Sequence, residues 1–200
     1  MYTIDQFRKM GGKTMYVGTG TIKLLFNKGF NVYNFYSDKA ELLIDDIHDH
    51  RSGFNSTILK GTLRNILYKI DGEDPESKYR LEYGECKEGS ERVIVQDNVV
   101  FKETCRFDNV EGTSYFMEHD VLHSIELMTP SVITHMVRNP LVKQAPNFII
   151  DTTKPFKCAF SEPKTDKECW EIIEYTINLS TKWYPVGESN SCCMDENHVS

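Results

Sequence analysis

Long apolar runs are missing from this 200-residue chain: no stretch of 18 reaches the length and hydrophobicity of a helical membrane span. The N-terminus also lacks the basic, apolar, small-residue series of a secretion signal, so the expected compartment is the cytoplasm. Its six cysteines, at 86, 105, 158, 169, 192 and 193, form no C-x-x-C pair and no regular framework. That pattern argues against zinc ribbons and disulfide scaffolds and leaves free thiols as the expectation. The adjacent Cys192 and Cys193 lie in a polar tail, where incidental surface chemistry is more natural than a designed site. A concentration of positive charge is absent too. The formal charge is −7, spread over Asp and Glu, and no Lys/Arg stripe or basic aromatic patch speaks for nucleic acid. No helix-turn-helix, internal repeat or low-complexity segment is evident, and a small discrete substrate suits the balance better.

What the chain does have is a succession of short strand signals. Thr3 to Met10 reads as a brief helix, with Thr3 as cap, Gln6 three residues on and Gly11-Gly12 as the stop. Met15 to Val17, Gly20 to Phe26, Asn31 to Tyr36 and Ala40 to Ile47 are rich in β-branched and aromatic residues and separated by Gly, Asn and Asp turns. Asn55 to Ile70 follows, bent near Lys60-Gly61-Thr62, and a polar loop spans Asp71 to Lys78. Arg80 to Cys86, Arg92 to Gln96, Val99 to Arg106, Thr113 to Met117, Leu122 to Leu127 and Val132 to Arg138 complete the series. Evenly spaced short strands predict a closed or double-sheet β architecture, one domain over residues 1–186 with an N-terminal extension, and a disordered polar tail over 187–200. The predicted core comprises Phe26, Phe35, Ile58, Leu63, Ile66, Phe101, Phe116, Leu122, Ile125 and Ile133. Asp166 to Leu179 fits both a helical stripe through Trp170, Ile173 and Ile177 and a strand.

Chemistry concentrates at His48-Asp49-His50. Two imidazoles one residue apart on a strand share a face, which makes the edge of a metal site. His123, in the apolar stretch EHDVLHSIEL, would supply a third nitrogen if its strand lies alongside. Three neutral imidazoles hold a divalent transition metal and leave coordination positions open, which favours chemistry over a structural staple. His119 shares the strand face of His123 by parity and is an alternative ligand or a loop residue. Asp49 points away by alternation, to orient a neighbour or meet solvent.

The segment resembles the first motif of the cupin superfamily, H-x-H followed by a Glu and, six residues later, a Gly; His48, His50 and Gly61 match, and His123 resembles the histidine of the second motif. The resemblance spans Ile44 to Arg138 and implies an all-β, single-domain, cupin-type antiparallel barrel, a jelly roll with short flanking helices. Within the superfamily the chain is most similar to the three-histidine thiol dioxygenases, the cysteine dioxygenase group, through the rhythm of IHDH, STILKG and TLRN. The family's ligand Glu or crosslinked Cys falls on Phe54, or on Asn55 with a one-residue shift, and neither side chain completes a three-His-one-Glu set. A later Ser-x-His-x-Tyr series becomes Ile133-Thr134-His135-Met136-Val137, keeping only the histidine.

What the resemblance implies is oxidation of a small thiol by dioxygen at Fe(II), with Ni or Zn as substitutes in purified material, on ligands His48, His50 and His123. His135 would act on bound oxygen, and Arg64, Tyr68 and Arg138 are candidates for fixing a substrate carboxylate, since guanidinium offers two parallel donors. The barrel also serves metal-dependent isomerases and epimerases and non-catalytic small-molecule-binding proteins, and fold alone does not choose among them.

Overall fold

Turn residues cut the chain into short strands, and a computed structural model places them; it describes residues 2–17, 21–38, 47–85, 91–154 and 164–179. Helix α1 (Ile4–Met10) has the expected capping box between Thr3 and Gln6, and Gly11 ends it in left-handed geometry at φ 72°. Thirteen described strands follow: β1 (Lys13–Val17), β2 (Thr21–Phe26), β3 (Asn31–Ser37), β4 (Ile47–His48), β5 (Phe54–Lys60), β6 (Thr62–Glu73), β7 (Tyr79–Tyr83), β8 (Val93–Gln96), β9 (Val99–Val110), β10 (Ser114–Met117), β11 (Leu122–Leu127), β12 (Ser131–Arg138) and β13 (Asn147–Asp151). Helix α2 (Asp166–Asn178) completes the described elements. Most of the strand expected over Ala40 to Ile47, and the whole tail over 187–200, lie outside the described residues.

Two antiparallel sheets result, one ordered β1-β2-β3-β12-β5-β10 and the other β8-β7-β13-β4-β11-β6-β9. They curl without closing, a cupin-like half-barrel of mixed strands and helices that corrects the closed all-β jelly roll expected. The reason lies in the outer face of the first sheet. Ile22, Leu24, Tyr33, Phe35 and Ile133 are apolar there and are covered by Phe7 of α1 and by Cys169, Ile172 and Ile173 of α2. Such a face needs a helical layer to exclude water. The inner face carries Val32, Phe54, Met117 and Met136, with Leu25 and, from the second sheet, Leu67 against them. A further core of Leu81, Val99, Leu122 and Ile149 fills the curl of the second sheet.

The ambiguous Asp166 to Leu179 segment is helical because Thr165 and Glu168 form a second capping box and residues 169, 172, 173 and 176 share its buried face. Strand β13 is absent from the sequence-based series, and β6 runs three residues into the expected polar loop. Of the predicted core, Phe35, Ile58, Leu63, Ile66, Leu122 and Ile133 are buried, whereas Phe116 is 46% exposed on the sheet-edge strand β10. Two cysteines lie among the described residues: Cys169 is a buried free thiol, and Cys105 is disulfide-bonded, against the expectation of free thiols throughout. No helix among the described residues is long and apolar enough to cross a membrane.

Candidate metal centre

The described residues of β4, Ile47 and His48, lie between β11 and β13, and His48 stands opposite both His123 and Phe148. The backbone then leaves the ladder. Asp49 turns to the other side, where it is buried and accepts hydrogen bonds from the Asn147 backbone N at 2.7 Å, Asn147 Nδ2 at 2.6 Å and Lys143 Nζ at 2.5 Å. His50 returns to the side of His48, its backbone N donating to the His119 carbonyl at 3.0 Å. The alternation of H-D-H is thereby fixed by a carboxylate on one side and a carbonyl on the other.

The three imidazoles form a near-equilateral group. Ring centroids are 5.0 Å apart for His48 and His50, 5.1 Å for His48 and His123, and 4.8 Å for His50 and His123. One nitrogen from each lies within 4.8 Å of the others, and the Nε2 atoms of His50 and His123 are 3.1 Å apart. Two imidazoles on one ion, with metal–nitrogen bonds of about 2.1 Å at octahedral to tetrahedral angles, place their nitrogens roughly 3.0–3.4 Å apart. The donor set therefore fits a divalent transition metal. Burial, and then the charges of His123, His48, Lys23 and Arg138, holds the His50 pKa well below the ordinary imidazole value. Burial, then His48, does the same to His123. Both rings are thus held in the neutral form that ligates. His123 is 3% exposed, and its Nδ1 has no hydrogen-bond partner among the described residues.

Aromatic rings wall the cluster. Phe54 stands edge-to-face on His50 at 4.8 Å and is 5% exposed, and Phe148 stacks on His48 at 6.0 Å. The side chain of His119 is not among the clustered ligands; its contribution is the carbonyl that holds His50.

The remaining candidates are dispersed. Arg64 is paired with Asp108 by two hydrogen bonds, of 2.7 and 3.0 Å. Tyr68 meets the Ser124 hydroxyl at 3.1 Å and the ring of Phe101. Both residues alternate with Leu67, the residue opposite His123, and so take the other face of the second sheet. His135 stacks on Tyr33 at 4.5 Å, in the layer that the helices cover, and not beside the three histidines. Arg138 is the candidate that the fold brings toward the cluster: it ends β12 opposite Phe54, and its charge bears on His50. Sequence reasoning missed Lys23, a single lysine inside the apolar run TIKLLF of β2. Burial, and then the Arg138 guanidinium, pushes its ammonium down to about 7. A lysine at the alternate position of an otherwise apolar strand is the signal that could have found it.

No protein-family model matches the chain, and no curated protein matches its sequence. Among solved structures it is similar to Drosophila melanogaster CENP-C bound to CAL1, at 11% identity and a TM-score of 0.36, over 62% of this chain and 75% of that one. It is also similar to the hydroquinone 1,2-dioxygenase PnpCD in complex with Cd2+ and 4-hydroxybenzonitrile, at 10% identity and 0.31, over 56% and 60%. A third similarity is to Fe(II) HppE, at 14% and 0.33, over 65% and 57%, so the chain spans less than two thirds of the latter two. Likenesses at this level leave the class to be read from the molecule itself. What the molecule itself shows is a curled half-barrel of two antiparallel sheets with a three-histidine cluster able to hold a divalent metal.

Proposed function

We propose that this chain is an Fe(II)-dependent cupin oxygenase that adds both atoms of dioxygen to the sulfur of a small thiol. The observation that carries the reading is the convergence of three imidazoles, those of His50 and His123 held neutral by burial, with no carboxylate in the cluster among the described residues. His48, His50 and His123 would hold the ion, and the same donors would accept Ni or Zn. When bound, Fe(II) supplies a Lewis acid for a thiolate and a redox partner for dioxygen. Neutral ligands leave the full double positive charge in place, which favours anionic sulfur beside it. Phe54 and Phe148 keep water from that charge and so strengthen its pull. The overall reaction balances without a further reductant: RSH and O2 give RSO2H, sulfur losing the four electrons that reduce the two oxygen atoms.

The test is to load the full chain anaerobically with Fe(II), add a panel of small thiols and follow oxygen uptake together with sulfinate by mass spectrometry. Equimolar uptake and sulfinate from at least one thiol is expected. In parallel, His48→Ala with His50→Ala should bring metal content to background. Fully loaded iron with no sulfinate from any thiol would move the assignment to the redox-neutral isomerases or to a binding protein.

A further inference from the structure

Two cations near the centre have no acidic partner among the described residues. In β2, Ile22 and Leu24 pack outward beneath the helices, while Leu25 packs inward with Val32, Phe54 and Met136; Lys23 shares the inward side by alternation. Its cross-strand neighbour is Asn34, itself 3% exposed. Asn34 Nδ2 donates to Thr134 Oγ1 at 2.9 Å, and its Oδ1 is buried without a hydrogen-bond partner. Arg138 stands two residues beyond the inward Met136, opposite Phe54, the ring that abuts His50. The charges sense one another: Arg138 disfavours the charged form of Lys23, and both disfavour charge on His50. Arg51, next to His50, adds a third cation, loosely paired with Glu85 at 3.8 Å.

Withdrawing a lysine from water without a counter-ion is costly, and like charges alongside raise that cost. Lys23 and Arg138, both half-buried, bring like charge toward the same histidine with no acidic side chain against them among the described residues, and the negative charge of a ligand would relieve that repulsion. Guanidinium binds an oxyanion through two parallel donors, and ammonium adds a point charge beside it. We propose that Lys23 and Arg138 form an anion clamp next to the three histidines, and that the substrate is a small molecule whose oxyanion, carboxylate or phosphate in type, sits in the clamp while its reacting end faces the metal. The orientation of that reacting end rests on the proposed metal-dependent function; the clamp is made of the chain's own side chains.

The experiment is calorimetric titration and thermal melting of the full chain, metal-free and metal-loaded, with malonate, inorganic phosphate and, as an ionic-strength control, chloride. Saturable binding of malonate or phosphate is expected, with a matching rise in Tm. The preferred anion identifies the carboxylate or the phosphate class. Lys23→Met should weaken that binding at least tenfold and, free of anion, melt no lower than wild type, because an unpaired charge has been removed; Lys23→Arg should bind within about threefold of wild type. Arg138→Gln supplies the same loss should Lys23→Met misfold. Equal affinity in wild type, Lys23→Met and Arg138→Gln, or no saturable anion in either form, overturns the clamp. Failure of metal binding shows separately, in elemental analysis of the wild type, and does not touch the metal-free titration.

Discussion

Asp49 holds one backbone amide, one side-chain amide and one ammonium while 2% exposed, and it does so between two ligand candidates. Removing its carboxylate strands Lys143 and Asn147. Because Lys143 keeps 20% of its side chain in solvent, Asp49→Ala should cost about 2–3 kcal/mol, somewhat less than breaking a fully buried pair, as urea melts would measure. It should also loosen metal binding about tenfold, the lower end for residues that orient ligands. The histidines themselves predict a pH dependence. In the metal-free protein burial holds His50 and His123 neutral, whereas the unfolded chain protonates both below about pH 6.5. The unfolded state then binds more protons, so stability falls as pH drops below that value, by about 1.4 kcal/mol per unit for each imidazole, until the depressed folded pKa is reached. Denaturant melts between about pH 5.5 and 7 should show this slope, and His50→Gln should roughly halve it. A flat profile would mean that the rings are solvated in the metal-free fold.

At the scale of elements, Lys60 ties the first sheet to the end of α2. Its Nζ, at the end of β5, donates to the carbonyls of Thr176 at 3.0 Å, Ile177 at 2.8 Å and Leu179 at 2.6 Å, and α2 has no basic residue of its own in its last turn. Lys60→Met should therefore cost about 3 kcal/mol, with amide exchange accelerating first in the C-terminal turn of α2. The next residue, Gly61, has φ 77°, and a Cβ there would lie 2.2 Å from the Ser131 carbonyl oxygen and 2.5 Å from Thr129 Oγ1. Gly61→Ala should cost about 3 kcal/mol or more through clash and backbone strain. That glycine was legible in the sequence, as were the paired histidines His48 and His50 and the bounds of β11, because period-two alternation and turn residues are local signals. The three apolar residues of β13 were not, since Phe148-Ile149-Ile150 fits any buried segment and acquires meaning only by pairing with β4. Nor does parity say which side of β12 the helices cover, which is why His135 could be assigned to the centre from the sequence while its ring lies on Tyr33. The EIIEYTINL segment satisfies both periods, and the deciding local signal was the Thr165 to Glu168 capping pair.

Across the whole molecule, the helices on one sheet and the curl of the other leave the centre in the seam between two layers, with His48 held on β4 between β11 and β13. Strand pairs can part locally at a lower free energy than the whole fold unfolds. Retention of a metal then becomes a matter of timing as well as of affinity: an ion held by His48 departs when β4 parts from β11 and β13. Chelator-driven loss should accelerate with chelator concentration and then level off, at the rate with which the ladder opens. Asp49→Ala should raise that plateau. A loss rate that climbs linearly with chelator, with no ceiling, would show that the ion is reached directly from solvent and that β4 stays shut as it leaves.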